Sequence, residues 1–473
     1  MIGRKEQNEL MQQALQLDKS SFIAITGRRR VGKTYIVREI YKDHFCFSVT
    51  GIQNATLSVQ IGNFLRKLQE YQGDWALQNR GKNWQDVFFA FKTYLKSLPK
   101  DKKQVIFIDE LPWIAGAKSG FISFLAHLWN DYLSQEKHFI LVVCGSATSW
   151  ITQKIINDKG GFHNRVTIPI HLKPFTLAET KLFFQSKNID LTDNGIAEIY
   201  MALGGLPYYL EQINRGESPS KAIERLCFNP NGILKREYNN LYKALFDNWE
   251  KHELIVQHLA QSQKGLTRKE ILAKTNISAG GNFNRTMNDL LLTDFITEYP
   301  PFGAKKREGV FKLTDEFSVF YHRFMKENEK KDASIWTILA QSQAYKIWKG
   351  YAFEVLCLKH ISEIKKVLGI ANVYTETAGF FKSKSVESGF QIDLIIDRKD
   401  ATINLCECKF YESSFQLTKE YADALKRRKA AFRAETKTKK IIFNTLITNE
   451  EIVSNAYSNE TLDQIVQLSD LMV

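Results

Sequence analysis

A short apolar segment in this 473-residue chain runs directly into a turn rich in glycine and arginine, and this junction restricts the possible folds strongly. Phe22–Thr26 is mostly apolar and is predicted to form a buried strand, and residues 35–42 have helical spacing. Between them, Gly27–Thr34 reads G-x-x-x-x-G-K-T. Because the glycines let the backbone curl and a helix N-terminus carries positive partial charge, the pattern predicts a loop that surrounds a phosphate group.

The residues of this phosphate loop have distinct predicted roles. Lys33 is predicted to reach the terminal phosphates of a nucleotide, and the Thr34 hydroxyl to bind Mg²⁺. The other predicted nucleotide contacts are the rest of the loop and the residue after it: Gly27, Arg28, Arg29, Arg30, Val31, Gly32 and Tyr35. The alternative is a chance match in a glycine-containing loop, against which the flanking strand and helix argue.

A second apolar segment, residues 104–110, ends in two carboxylates. An apolar strand would bring Asp109 to the carboxyl edge of an open α/β sheet, which is where ligands bind in such folds. We expect Asp109 to hold Mg²⁺ through water and Glu110 to polarise the attacking water as a general base.

Composition narrows the classes of protein that fit. The chain is 44% hydrophobic and 25% charged, as in ordinary globular proteins with a buried core. Its net charge of +13 permits an anionic partner, usually nucleic acid, although a basic protein without such a partner fits as well. Six scattered cysteines do not suggest a disulfide framework, and no run approaches about 18 apolar residues. We therefore expect a cytoplasmic protein with no membrane partner.

Three further segments carry candidate residues. Gly3-Arg4-x-Glu6 opens the first predicted helix, Arg165 follows a glycine-containing loop, and Gly204-Gly-Leu-Pro207 interrupts a long helical region. Each also fits a simpler structural role: a plain first helix, a surface salt bridge and a helix–helix turn.

Taken together, these segments resemble the archaeal-type ATPase family, in the signal-transduction branch of the AAA+-like P-loop ATPases. The resemblance covers about residues 1–240. It rests on these motifs: Gly3-Arg4-x-Glu6, the phosphate loop, Asp109–Trp113, Gly145-Ser146, Arg165 and Gly204–Pro207. It implies an ATP ligand with Mg²⁺, adenine-side contacts from Gly3 and Arg4, and contacts to the base from Gly205 and Pro207 in a helical lid.

The same resemblance implies two residues that act on the terminal phosphate. A polar residue after the predicted strand Phe139–Cys144 would sense that phosphate; Ser146 is favoured over Thr148 and Ser149, and capping of the next helix is the alternative. Arg165 would act as an arginine finger, in its own chain or in a neighbouring copy, so a homo-oligomer is possible.

Residues 249–325 are predicted to form a winged helix, because three helices precede two strands. The second helix begins with a capping box, Thr267 with Glu270. The residues that would contact DNA lie on the third helix (Asn282, Asn284, Arg285, Asn288) and on the wing (Lys305, Lys306, Arg307). A packing module between domains, with no DNA contact, is an equally favoured interpretation.

The last part of the chain carries carboxylates in a characteristic order. Glu354 lies on an apolar helix, Asp393 in the middle of a predicted strand, and Glu407-x-Lys409 on the next strand. This order resembles the PD-(D/E)XK nuclease superfamily, which has the restriction-endonuclease-like fold. The resemblance implies that Asp393 and Glu407 bind a divalent metal, with Glu354 joining through water, and that Lys409 orients or deprotonates the attacking water.

The same residues also fit a salt-bridged sheet, or a decayed nuclease kept as a scaffold. Alternation along the strand places Cys406 and Cys408 on the face opposite Glu407, in apolar packing rather than at a metal. A later helix carries the basic residues 426–429, which could contact a DNA backbone or form an ordinary solvated face.

The predicted fold class is α/β, in five parts: a P-loop ATPase core (1–175), a helical lid (176–248), a winged helix (249–325), a linker (326–334) and an α/β restriction-endonuclease-like domain (335–473). The predicted function is ATP binding and hydrolysis coupled to a DNA-binding, nuclease-like region. The alternative is a nucleotide-dependent switch whose last domain binds DNA or protein without cleaving.

Overall fold

The computed structural model describes residues 2–72, 83–116, 119–246, 248–300, 302, 309–378, 381–382 and 390–473. The chain divides into two units, residues 1–174 and residues 175–473. Within the described ranges, no helix combines the length and the apolar character that crossing a membrane requires.

The first unit is built on a parallel sheet whose order is β2-β3-β4-β1-β5. Its strands are β1 Ser21–Thr26, β2 Phe45–Thr50, β3 Gln104–Asp109, β4 Phe139–Cys144 and β5 Ile168–His171. Every residue of β1, β3 and β4 is buried. Such unbroken buried runs are typical of parallel sheets that are covered on both faces. The predicted parallel α/β architecture of this region is therefore confirmed.

Aromatic packing joins two helices of the first unit to β2. The rings of Phe64 and Phe91 lie 4.7 and 4.6 Å from the ring of Phe47, between centroids. The helices of the unit are Lys5–Gln16, Lys33–Tyr41, Leu57–Gln72, Trp84–Lys96, Leu111–Ile114, Phe121–Asp131 and Thr148–Ile151, with a 3-10 turn at Leu133–Gln135 and a π-helical turn at Thr152–Ile156.

The second unit begins with short helices, as the sequence predicts. They are Leu177–Ser186, Asp193–Leu203, Pro207–Leu210, Pro219–Ile223 and Glu237–Leu241, with a π-helical turn at Glu224–Phe228. Gly204 has φ 72° and follows the second of these helices, and Pro207 is the first residue of the third. The predicted break in the helical region at this place is confirmed.

Three helices and a small antiparallel sheet follow. The helices are Trp249–Ala260, Arg268–Thr275 and Gly281–Leu292, and the strands are β6 Leu266–Thr267, β7 Ile296–Tyr299 and β8 Val310–Leu313, in the order β6-β8-β7. The predicted capping box is present: the amide of Glu270 donates to the Thr267 hydroxyl at 3.3 Å, and the amide of Thr267 donates to the Glu270 carboxylate at 2.7 Å. Helical turns at Glu316–Phe320, Tyr321–Met325 and Lys326–Asn328 lead onward.

The last part of the second unit contains a mixed sheet in the order β17-β15-β13-β12-β9. Its strands are β9 Thr375–Ala378, β12 Leu394–Arg398, β13 Thr402–Lys409, β15 Ile441–Thr448 and β17 Gln464–Gln467. Four short strands pair separately: β10 Phe381–Lys382 with β11 Gln391–Ile392, and β14 Phe415–Gln416 with β16 Ile452–Val453. The helices are Ile335–Gln341, Gln343–Lys359, Ile361–Val367, Lys419–Thr436 and Ala456–Thr461, with a 3-10 turn at Leu468–Met472.

One predicted strand is interrupted. Asp393 lies between β11 and β12, so the prediction that it lies in the middle of a continuous strand is wrong. Its carboxylate accepts a hydrogen bond from the backbone amide of Cys408 on β13 at 3.2 Å. At this break in the strand, the Asp393 side chain therefore forms a hydrogen bond with the backbone of the neighbouring strand.

Gly205 allows two segments of the second unit to approach closely. The amide of Phe175 donates to the Gly205 carbonyl at 2.7 Å. A Cβ atom on residue 205 would lie 2.1 Å from the Phe175 carbonyl oxygen, which is far inside van der Waals contact. Only glycine fits this position without moving the backbone.

We expect Gly205→Ala to destabilise the second unit by about 2 kcal/mol or more, because the new methyl group overlaps a backbone oxygen. The matched control is Gly350→Ala in the helix Gln343–Lys359, where a Cβ meets open space and alanine is favoured by about 1 kcal/mol. Urea unfolding followed by circular dichroism measures both. A Gly205→Ala midpoint at or above that of the wild type would contradict the predicted overlap.

Candidate nucleotide site and carboxylate cluster

The phosphate loop has a backbone that requires glycine at two positions. Gly27 has φ 135°, and a Cβ atom there would lie 2.4 Å from the Leu172 carbonyl oxygen. Gly32, at the start of the helix Lys33–Tyr41, has φ 95°. Arg30 also has a positive φ of 71°, which is unusual for a residue with a side chain. The loop is thus tightly curled between β1 and the following helix, as its sequence predicts.

The ammonium group of Lys33 lies inside this loop. Its Nζ donates to the carbonyl oxygens of Gly27 at 2.7 Å and Arg28 at 2.9 Å. Burial lowers the pKa of Lys33 from its usual value, while the nearby carboxylates of Glu110 and Asp109 act in the opposite direction. The Lys33 amine therefore lies at the loop that is predicted to hold phosphate, and carbonyl oxygens of that loop accept its hydrogen bonds.

The predicted metal ligands of the nucleotide site lie together. The Thr34 hydroxyl donates to Oδ2 of Asp109 at 2.9 Å. The other carboxylate oxygen accepts from the Glu110 amide at 2.9 Å and from the Cys144 thiol at 2.8 Å. Burial raises the pKa of Cys144, and Asp109 raises it further, so the thiol stays protonated and can donate. Thr34 and Asp109 are placed where they could share one Mg²⁺ ion, for which oxygen ligands are suited.

Glu110 projects from a strained backbone immediately after β3. Its φ is 46°, in the left-handed region. Its carboxylate accepts from both the amide and the hydroxyl of Ser146, at 3.0 and 3.1 Å. Ser146 therefore contacts the proposed general base directly, which suits a residue at the terminal phosphate.

Two residues at this edge of the sheet make contacts that the sequence does not predict. Thr148, an alternative candidate to Ser146, accepts a hydrogen bond from the Gly27 amide of the phosphate loop at 3.2 Å. Cys144 was treated only as part of a strand, yet it contacts Asp109. The signal for Cys144 was available, because the last residue of a parallel strand lies at the edge where ligands bind.

The remaining candidates of the first unit differ in their surroundings. Arg4 is buried with φ 58°, and its Nη2 donates to the Val31 carbonyl at 3.2 Å, which joins the Gly3–Arg4 segment to the phosphate loop. Arg29 is exposed but close enough to Lys33 to lower the pKa of that lysine. Tyr35 is 62% exposed, and Arg165 is exposed in a turn. Nucleotide contacts of Tyr35, and the arginine-finger role of Arg165, stay predictions.

Gly205 and Pro207 belong to the second unit. Gly205 has the backbone role described above, and Pro207 begins the helix Pro207–Leu210. Their predicted contact with the nucleotide base stays a prediction.

A second charged site lies on the mixed sheet. Lys409 Nζ lies 2.9 Å from Glu407 and 3.8 Å from Asp393, so these three residues of the predicted nuclease set are together. Cys406 and Cys408 are buried, as the alternation along β13 predicts. Glu407 has two further partners, Arg428 through an ion pair and the Tyr421 hydroxyl at 3.1 Å.

The three carboxylates of this cluster have different proton affinities. Burial raises the pKa of Glu354 to about 8, and Asp393 adds to the rise. Burial and the Glu407 charge raise the pKa of Asp393 to about 6. Burial also acts to raise the pKa of Glu407, but Lys409 and Arg428 outweigh it and hold that pKa below its usual value. Mutual influence of this kind is typical of functional sites and of structural ion-pair networks alike.

The metal role of Glu354, Asp393 and Glu407 stays a prediction. In the described part of the chain, no group of three or more His, Cys, Asp or Glu side chains is arranged to hold a metal ion. Carboxylate oxygens are suitable ligands, but the oxygens of Glu407 contact Arg428, Lys409 and Tyr421. A metal at Glu407 would have to displace at least one of these partners.

Basic residues that could contact DNA are only partly free to do so. On the helix Lys419–Thr436, Lys426 pairs with Glu460 at 2.9 Å and Lys429 with Asp463 at 3.2 Å. Sequence spacing could not reveal these partners, since they come from a later segment. The four polar residues predicted to contact DNA from the helix Gly281–Leu292 are exposed: Asn282, Asn284, Arg285 and Asn288. The predicted wing residues Lys305, Lys306 and Arg307 lie outside the described residues.

Comparison with known proteins agrees with the geometry of the first unit. Residues 3–213 match the family model for an ATPase domain found predominantly in Archaea. Residues 3–213 are therefore similar to this ATPase domain, which supports that part of the resemblance predicted from the sequence.

Individual relatives are distant. An uncharacterized protein of Methanocaldococcus jannaschii is 23% identical over 374 residues, which are 77% of this chain and 78% of that protein. A Walker-type ATPase of Pyrococcus abyssi is similar in structure with a TM-score of 0.48 and 16% identity, over 68% of this chain and 96% of that one. The ORC2 protein of Aeropyrum pernix, in ADPNP–ADP complexes, has a TM-score of 0.41 and 12% identity, over 69% and 92%.

We expect Glu110→Gln to retain ATP binding and to lower the turnover of ATP about 100-fold or more, because the amide cannot accept a proton from the attacking water. Steady-state phosphate release and a separate nucleotide-binding titration check the two parts. Glu136→Gln is the control, since this glutamate pairs with Lys100 on the surface of the same unit. Unchanged turnover in Glu110→Gln would remove Glu110 from the role of general base.

Proposed function

We propose that this protein binds ATP with Mg²⁺ in its first unit and hydrolyses it. The observation that carries the proposal is the 2.9 Å hydrogen bond between Thr34 and Asp109, 75 positions apart, which brings the phosphate loop and the acidic end of β3 together. The match of residues 3–213 to an ATPase domain supports it independently.

The side chains suggest how the site would work. Lys33 would exchange its carbonyl partners in the loop for phosphate oxygens, and the curled backbone would donate its amides to the same group. When bound, Mg²⁺ would supply positive charge to the phosphates, and Thr34 and Asp109 are the residues that would hold it. Glu110, held by Ser146, would accept a proton from the attacking water.

We further propose that nucleotide state controls a DNA-binding, nuclease-like region in residues 249–473. The three helices with the sheet β6-β8-β7 have the element order of a winged helix, and the exposed face of the helix Gly281–Leu292 carries Asn284 and Arg285. The net charge of +13 favours an anionic partner such as DNA. The proposed domain boundaries are those stated from the sequence. The same hypothesis includes a cytoplasmic location. It also includes a homo-oligomer in which Arg165 of one copy reaches the nucleotide site of a neighbouring copy.

Within that region, the proposed nuclease site consists of Glu354, Asp393, Glu407 and Lys409. The proximity of Lys409 to both Asp393 and Glu407 supports it, since a lysine there could orient water at a metal held by the two carboxylates.

A specific observation favours a second candidate function, a nucleotide-dependent switch that binds DNA or protein without cleaving. Arg428, Lys409 and Tyr421 all engage Glu407, which is the arrangement of a satisfied ion-pair network. Such a network is stable without a metal, because its buried charge is compensated by protein groups.

The test of nucleotide binding is a thermal melt with and without saturating ATP and Mg²⁺. We expect the wild type to melt at a higher temperature with the nucleotide, because a ligand that binds only the folded state stabilises it. Lys33→Ala should lose most of this shift, whereas Lys42→Ala, an exposed position just beyond the end of the same helix, should keep it. Identical melting of the wild type with and without ATP would contradict the proposal.

The two candidate functions differ in a cleavage assay on DNA with Mg²⁺ or Mn²⁺ and ATP. If the nuclease-like site is active, Lys409→Ala should abolish cleavage, Lys33→Ala should change only its dependence on nucleotide, and Lys399→Ala should have no effect. Lys399 is the control because it pairs with Glu376 at the surface. Intact DNA under all conditions, with ATP still bound, would favour the switch.

A further inference from the structure

Two hydroxyl side chains just beyond the end of β4 have different hydrogen-bond partners. The Ser146 hydroxyl donates to the Glu110 carboxylate at 3.1 Å, and the Ser146 amide donates to the same oxygen at 3.0 Å. The Thr148 hydroxyl instead accepts from the Gly27 amide at 3.2 Å. Ser146 is 4% exposed and Thr148 is 1% exposed. One buried hydroxyl therefore contacts the acidic end of β3, and the other contacts the phosphate loop.

The backbone around these two residues is held by close packing and by a turn. A Cβ atom on Gly145 would lie 2.6 Å from Cδ of Pro112, so the glycine lets this segment pack against the residues that follow Glu110. The Thr148 amide then donates to the Ser146 carbonyl at 2.9 Å. Because this turn is short and hydrogen-bonded, each hydroxyl is kept at its own partner.

The hydroxyl of Ser146 has a single proton to donate. As a general base Glu110 is ionised, and an ionised carboxylate accepts hydrogen bonds but cannot donate them, so the proton lies between the Ser146 and Glu110 oxygens. Phosphate oxygens are acceptors as well. Ser146 could therefore donate to a terminal phosphate only by giving up Glu110. Hydrogen bonds to charged groups are stronger than those between neutral groups, which favours the contact with Glu110.

Thr148 acts on the first residue of the phosphate loop. The backbone of Gly27 has φ 135°, and a Cβ atom there would lie 2.4 Å from the Leu172 carbonyl oxygen. Because Thr148 accepts from the Gly27 amide, the start of the loop is tied to the segment after β4 as well as to β1. Such an anchor of the backbone serves every nucleotide that the loop binds, whether it carries two phosphates or three.

We propose that Ser146 and Thr148 are positioning residues for different parts of the nucleotide site. Ser146 orients Glu110 for the chemical step, and Thr148 holds the phosphate loop in the conformation that binds nucleotide. Both roles rest on the proposed function. They differ from the role that the family resemblance implies, in which Ser146 senses the terminal phosphate. A sensor makes the protein prefer ATP to ADP, whereas a residue that orients the base changes turnover and leaves this preference unaltered.

The test measures kcat for ATP and the dissociation constants of ATP and ADP, with Mg²⁺, on full-length variants. Ser146→Ala should lower kcat about tenfold, because the base loses a donor, and should bind both nucleotides within about twofold of the wild type. Thr148→Val has nearly the shape of threonine but no hydroxyl. It should weaken binding of ATP and ADP by the same factor, about tenfold, and change kcat by less than about twofold.

Four control variants accompany these measurements. Ser146→Thr and Thr148→Ser keep the hydroxyl and should restore most of the lost turnover and binding, which a purely steric effect would not predict. Ser134→Ala and Thr93→Val remove hydroxyls that donate to helix carbonyls on the surface of the same unit, and should match the wild type. Thr148→Ala takes the place of Thr148→Val if the valine variant does not fold.

The outcomes separate this proposal from the proposed function. If Ser146→Ala weakens ATP binding clearly more than ADP binding, or leaves kcat unchanged, Ser146 does not act through Glu110 and the proposal is overturned. Unchanged nucleotide affinity in Thr148→Val would overturn it as well. In either case nucleotide binding and hydrolysis by the wild type still stand. A wild type that does not bind ATP, or does not hydrolyse it, would remove the proposed function and this proposal together.

Discussion

The structure of the nucleotide site depends on one constraint: charged side chains lie at the carboxyl edge of a sheet with buried strands, so each needs hydrogen-bond partners. Lys33 is compensated by two carbonyl oxygens of its own loop, and Asp109 by the Thr34 hydroxyl, the Glu110 amide and the Cys144 thiol. A buried ion without such partners would be costly, so the loop and the end of β3 hold their functional groups by hydrogen bonds that a bound nucleotide can replace.

Because β4 lies between β1 and β3, residues at its carboxyl end can contact the residues that follow both of these strands. Residues just at and after the end of β4 contact both neighbours: Cys144 contacts Asp109, Ser146 contacts Glu110, and Thr148 contacts the amide of Gly27. A single segment therefore links the phosphate loop to the acidic residues.

The second unit also contains buried charges, but there carboxylates are compensated by the cations of lysine and arginine side chains. Its carboxylates are compensated by cations from two separate segments: Lys409 on β13, near Asp393 and Glu407, and Arg428 on the helix Lys419–Thr436, paired with Glu407. The same arrangement suits a metal site at rest and a permanent ion-pair network, because both need opposite charges around buried carboxylates. The order of Glu354, Asp393, Glu407 and Lys409 along the chain could therefore predict which groups meet, but not whether a metal completes them.

Local patterns were sufficient for much of the molecule. The phosphate loop, the buried parallel strands, the capping box at Thr267 and the break at Gly204 depend on residues a few positions apart, so their physics can be followed along the chain. Partners far apart in sequence could not be obtained in this way. At the strand break, Asp393 accepts a hydrogen bond from the amide of Cys408, 15 positions later, and Lys426, Arg428 and Lys429 pair with acidic residues on other segments of the folded chain. Charge interactions vary steeply with distance and burial, and both quantities exist only once the chain has folded.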